Sequence, residues 1–159
     1  MDDLIFQDDN QLFTVKLKRE VYSQMISYCG KSNPYETGGV LIGNYSTNQT
    51  TANIMQTTLP PMHSIHQKYS FHRRSTGLKI FFDQVWDRGQ YYLGEWHYHP
   101  NSSAGPSDTD LKQMLLLSNH KKLKCPEPIL LIIGGNSKDW QIYVSVFINE
   151  TNVCLKQVK

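Results

Sequence analysis

GEWHYHPNSSAGPSDTD, residues 94–110, sets two histidines one residue apart, then seven residues, then Ser-x-x-Asp. On an extended strand the side-chain period is two, so His97 and His99 share one face while Tyr98 turns to the other. Two imidazoles therefore converge. The loop that follows is made of turn formers, Pro100, Asn101, Gly105 and Pro106, and is short enough to bring Asp110 back beside them. Two neutral imidazoles and one carboxylate suit zinc, and three protein ligands leave a fourth tetrahedral position for water, as at a catalytic ion. The expectation is one Zn2+ per chain, held by His97, His99 and Asp110.

A hydrolytic centre also needs a group that takes the proton of its water. Upstream, PYETGGVLIGNY at 34–45 offers Glu36, where Pro34 and Gly38-Gly39 mark a turn and Val40, Leu41 and Ile42 begin a buried strand. A carboxylate at the mouth of such a strand can face the histidines. Glu95 is a rival, because it shares their strand face; it reads as a base, as a ligand, or as a partner that orients a histidine ring.

These residues resemble the JAMM metalloproteases of JAB/MPN type, whose pattern is a Glu far upstream of His-x-His-Pro-x(6)-Ser-x-x-Asp. The match covers Glu36, His97, His99, Pro100, Ser107 and Asp110, with glycine-rich GGVLIG after the Glu. The resemblance implies zinc on His97, His99 and Asp110, with Glu36 as base and Ser107 helping to stabilise the oxyanion. Tyr98 departs from the Ser or Thr common between the two histidines; altered packing rather than lost chemistry is expected.

GEWHYHP is also similar to the GEWHTHP-like segment of small stand-alone bacterial members. That likeness implies a protease of amide or isopeptide bonds, cutting after the C-terminal residue of a conjugated protein. The conjugated protein would be a ubiquitin-like protein or a cGAS-like nucleotidyltransferase, with E1/E2-like conjugation proteins in the same antiphage pathway, CBASS-type or related. Its extended C-terminal tail would add as a strand beside the cleft, against a rim at 69–74. A zinc hydrolase of sulfur-carrier or peptide conjugates, and a non-catalytic MPN-type scaffold, are the alternatives.

The rest of the chain bounds these readings. Its 159 residues suit one domain over 1–159. Sixteen basic against fourteen acidic residues leave +2, which gives no electrostatic case for nucleic acid or membrane. The longest apolar run, 129–133, is too short to span a bilayer, and the acidic start lacks a secretory signal's features, so the cytoplasm is expected. Cys29, Cys125 and Cys154 have no C-x-x-C spacing and read as reduced thiols. His63, His66 and His72 lie in an extended-looking stretch and read as surface or substrate contacts rather than a second metal site, and Arg73-Arg74 as a solvated basic edge.

Hydrophobic spacing predicts helices over 18–28, stopped by Gly30, over 76–88 and over 107–117 with Ser107 as cap, and strands at 39–45, 52–59, 91–98, 129–133 and 141–148. Val21, Met25, Ile26 and Tyr28 would form the first helix's apolar side. Leu78, Phe81, Phe82, Val85 and Trp86 would form a core stripe on the second. The order fits an α/β fold, a compact mixed β-sheet flanked by helices, which the resemblance makes JAB/MPN-like and cytidine-deaminase-like.

Overall fold

The computed structural model describes residues 1–58, 76–121 and 124–159. In chain order these form β1 (Leu4–Gln7), β2 (Thr14–Leu17), α1 (Arg19–Ser32), β3 (Gly38–Tyr45), β4 (Thr51–Thr57), α2 (Thr76–Asp87), β5 (Tyr91–Pro100), α3 (Asp108–Ser118), β6 (Ile129–Asn136), β7 (Asp139–Ile148) and β8 (Thr151–Val158). The α/β reading holds, and the mixed sheet closes on itself in the order β1-β2-β4-β3-β5-β6-β7-β8. Among the described residues only β2–β4 and β5–β6 pair in parallel. Closure leaves no edge strand among the described residues.

The wall around the site is apolar on both sides. Leu41, Trp96, Tyr98, Ile129, Leu131 and Ile133 join the cluster that also takes Val21, Met25 and Cys29 of α1. Val40, Ile42, Leu130 and Ile132 point the other way, onto Met114 and Leu117 of α3 and Val85 of α2. Burial on both faces is why 129–133 reads as an unbroken apolar run rather than an alternating one. β5 carries an irregularity, since Leu41 pairs Gly94 but Ile42 pairs Tyr92. Gly94 sits at φ +150°, where a Cβ would lie 2.0 Å from the Ile129 carbonyl oxygen, so no other residue fits.

Four expectations change. Gly30 does not stop α1, which runs on to Ser32. Gly30 is exposed, with nothing within 4 Å of where a Cβ would stand, and a solvent-facing glycine only weakens a helix by about 1 kcal/mol. Pro34 ends it instead, because the residue before proline disfavours helical dihedrals and Asn33 adopts ψ 130°. Gly38 and Gly39 are not a turn but the first residues of β3, paired with His97 and Trp96; a Cβ on Gly38 would stand 2.4 Å from the Trp96 carbonyl oxygen. The α2 stripe is only partly core: Val85 is buried, whereas Trp86 is 58% exposed, edge-on to Tyr91 at 5.0 Å. Finally, β1, β2 and β8 went unforeseen.

Candidate active-site cleft

β5 delivers the two histidines and α3 delivers the carboxylate. Ser107 caps α3: its hydroxyl accepts the Asp110 N–H at 3.1 Å while the Asp110 carboxylate accepts the Ser107 N–H at 2.8 Å. This reciprocal capping box pins Asp110 in the first turn and aims it at β5. The loop before it packs directly on β6, where a Cβ on Gly134 would come within 2.6 Å of both Ala104 N and Ser102 O.

Asp110 then touches both rings. Its Oδ1 lies 3.0 Å from His97 Nδ1 and its Oδ2 3.3 Å from His99 Nε2. Burial alone would lower the His97 pKa, but hydrogen bonding and charge from Asp110 and Glu95 raise it to about 9. Asp110, which burial would raise, is held well below the usual carboxylate range by His97 and by the Ser107 N–H. These two shifts describe an imidazolium paired with a carboxylate.

The donor set fits a metal. Metal–donor bonds of about 2.0–2.2 Å in a tetrahedron put neighbouring donors about 3.3–3.6 Å apart, close to the 3.3 Å of the His99 contact and a little beyond the 3.0 Å of the His97 contact. Asp110 turns a different oxygen to each ring, hydrogen-bonded to His97 through one and within ion-pair distance of His99 through the other; among the described residues no three donors surround one point.

Glu36, Thr37, His97, His99, Ser107 and Asp110 line one cleft of about 580 Å³. Every residue expected at the site therefore reaches the same space, with Glu36 exposed at its rim. A larger groove of about 1000 Å³, walled by Tyr45, Trp86 and Tyr91, has no histidine among its described lining residues and shares none of these groups. Size alone does not locate chemistry; convergent polar groups do.

Glu95 stands beside His97 on the same strand face. It is fully buried, flanked in register by Val40 and Leu130, with its Oε2 3.7 Å from His97 Nε2 and 3.4 Å from the Gln113 amide that donates to it. It faces the ring nitrogen opposite the one Asp110 contacts, the place of a group that orients a ligand. Sequence reasoning missed Gln113, which carries no motif signal. The Tyr98 side chain packs into the core cluster with Trp96 and Ile133, as its strand face predicts, although residue 98 also contributes to the lining of the cleft. The segment with His63, His66, His72, Arg73 and Arg74, including the 69–74 rim, lies outside the described residues.

The chain matches the family model for prokaryotic homologues of the JAB domain over residues 18–145. It is 37% identical over 134 residues to a CD-NTase/cGAS isopeptidase of Enterobacter hormaechei, covering 84% of this chain and 74% of that protein. A probable metalloprotease of Sinorhizobium fredii is 25% identical over 128 residues, 78% of this chain and 77% of its own. A solution structure of a Desulfitobacterium hafniense protein aligns with a TM-score of 0.59 at 16% identity, over 91% of this chain and 90% of that one, a likeness of fold alone.

Proposed function

This chain belongs to the prokaryotic homologues of the JAB domain, and on that footing we propose that it is a zinc-dependent isopeptidase that releases a conjugated CD-NTase/cGAS-like nucleotidyltransferase by cutting after its C-terminal residue. The observation that carries the reading is the single cleft in which the capped Asp110, both histidines and Glu36 meet. A scaffold has no use for a complete donor set with an acid at its rim. The substrate class is supported by the printed name of the 37% identical relative.

His97, His99 and Asp110 would hold the ion. When bound, zinc would polarise the scissile carbonyl and bring a water's pKa to roughly 7. Glu36, at the rim, accepts the proton of the attacking water and returns it to the leaving amine, which otherwise departs as a strongly basic anion. The Ser107 oxygen is engaged as acceptor by the Asp110 N–H, so its O–H is left to donate to the developing oxyanion. Such a donor is worth about 2.7–4 kcal/mol. Glu95 keeps the His97 ring in place from behind.

On this reading the chain acts in the cytoplasm with E1/E2-like conjugation proteins, in CBASS-type antiphage defence. The free thiols Cys29, Cys125 and Cys154 suit a reducing compartment. The test is intact mass of an isopeptide conjugate of the nucleotidyltransferase after incubation with zinc-loaded protein. A cut immediately after the terminal residue is expected. An intact conjugate, alongside cleavage of a ubiquitin-like or sulfur-carrier fusion, would reassign the substrate.

A further inference from the structure

We propose that Tyr98 is a positioning residue for Glu36: a two-handed clamp that fixes the turn carrying the base against the strand carrying the histidines. The inference rests on the reading of Glu36 as the base. Glu36 lies between α1 and β3 in a turn with little burial of its own; Tyr35 is 76% exposed and Glu36 is exposed too. Such a turn needs polar ties to hold one geometry.

Tyr98 supplies them on both sides of Glu36. Its backbone N–H donates to the Thr37 carbonyl at 2.8 Å. Its hydroxyl, on a fully buried side chain, accepts from Asn33 Nδ2 at 2.8 Å and donates to the Gly135 carbonyl at 2.9 Å. Both capacities of the phenol are therefore used, so its position is fixed by β6 on one side and α1's end on the other.

The ties extend to the loop that carries Ser107. Asn33 Nδ2 also reaches Asn101 Oδ1 at 3.3 Å, and that oxygen accepts from Asn136 Nδ2 at 3.2 Å. The base-carrying turn, the β5–α3 loop and the β6–β7 hairpin are thus knitted into one unit around residue 98. A Ser or Thr between the histidines would be too short to span from β5 to Asn33, so the departure from the common pattern has a structural purpose.

Tyr98→Phe keeps the ring and removes both hydroxyl bonds without touching a metal-binding side chain. Zinc stoichiometry and KM for the conjugate are expected to hold while kcat falls about tenfold to a hundredfold, the scale of a reacting group misplaced by about an ångström. Asn33→Ala should act likewise, and the loss in the double variant should fall short of the sum of the two single losses, because both cut the Asn33–Tyr98 hydrogen bond. Independently of turnover, amide hydrogen exchange at residues 35–37 should quicken in Tyr98→Phe while β3 and β5 keep their protection. Wild-type exchange at 35–37, fully additive losses in the double variant, or wild-type kcat in Tyr98→Phe where Glu36→Gln is inactive, would overturn the clamp and leave Glu36 as base. Inert zinc-loaded wild-type protein would count against the activity instead, and the exchange result would still decide the clamp.

Discussion

The two faces of β5 are made of alternate residues of the same ten-residue strand and do opposite jobs. Trp96 and Tyr98 are fully buried; the indole N–H donates to Thr57 Oγ1 at 2.7 Å and the Tyr98 ring lies 5.9 Å from that of Trp140. Glu95, His97 and His99 point the other way, where Glu95 is as inaccessible as the tryptophan but is a carboxylate. A buried carboxylate costs several kcal/mol unless it is paired, and Glu95, flanked by Val40 and Leu130, has the His97 ring at 3.7 Å and the Gln113 amide at 3.4 Å as partners. The dry face holds the strand still, and the polar face uses that rigidity, which is how a site gains positional accuracy.

If the faces are divided this way, substitutions on each should fail differently. Glu36→Gln is expected to lower kcat by about 10²–10⁴ with one zinc still bound, as for loss of a general base; zinc loss in parallel would make Glu36 a ligand. Trp96→Ala, on the dry face, should cost about 3–5 kcal/mol of stability in denaturant titrations, with metal affinity intact in the fraction that stays folded. A stability loss below about 1 kcal/mol would mean that this face is not what holds the strand.

Glu95→Gln sharpens the comparison further. It keeps the shape and removes the charge behind His97, so zinc affinity should weaken about tenfold to a hundredfold in a competition titration while the fold persists; unchanged affinity would reduce Glu95 to a packing residue.

The smallest effect is in pH. With the His97 pKa at about 9, above its ordinary 6.5, the ion pair's stabilisation of the metal-free protein is complete below pH 6.5 and is lost as pH rises through 9. Asp110, held below its ordinary 3.8, contributes above that value and loses its part as pH falls beneath it. Tm with chelator should therefore peak between about pH 4 and 6.5 and decline toward 9, while zinc, which must displace the His97 proton, binds more tightly over that same rise. A Tm flat from 6.5 to 9 would remove the ion pair from the account.

Much of the site was legible because its geometry is local. Period two sets His97 and His99 side by side, and Ser107 with Asp110 is a capping pair three residues apart. Glu36 needed a family pattern, since nothing within its own turn says that β3 will pair Gly38 with His97. The barrel was not legible: closure depends on Leu4–Gln7 meeting both Thr14–Leu17 and the far end of the chain at β8, and four-residue strands carry almost no periodic signal. Gly30 reads as a helix stop and Gly38-Gly39 as a turn from composition alone, whereas the first is merely exposed and the others make room for Trp96 and Thr58.

The most direct test of the central claim is native mass spectrometry of the protein titrated with zinc, wild type beside Asp110→Ala and Glu36→Gln. One zinc on wild type and on Glu36→Gln, and none retained by Asp110→Ala, is the predicted result. Full zinc stoichiometry in Asp110→Ala would contradict the metal centre built from β5 and α3.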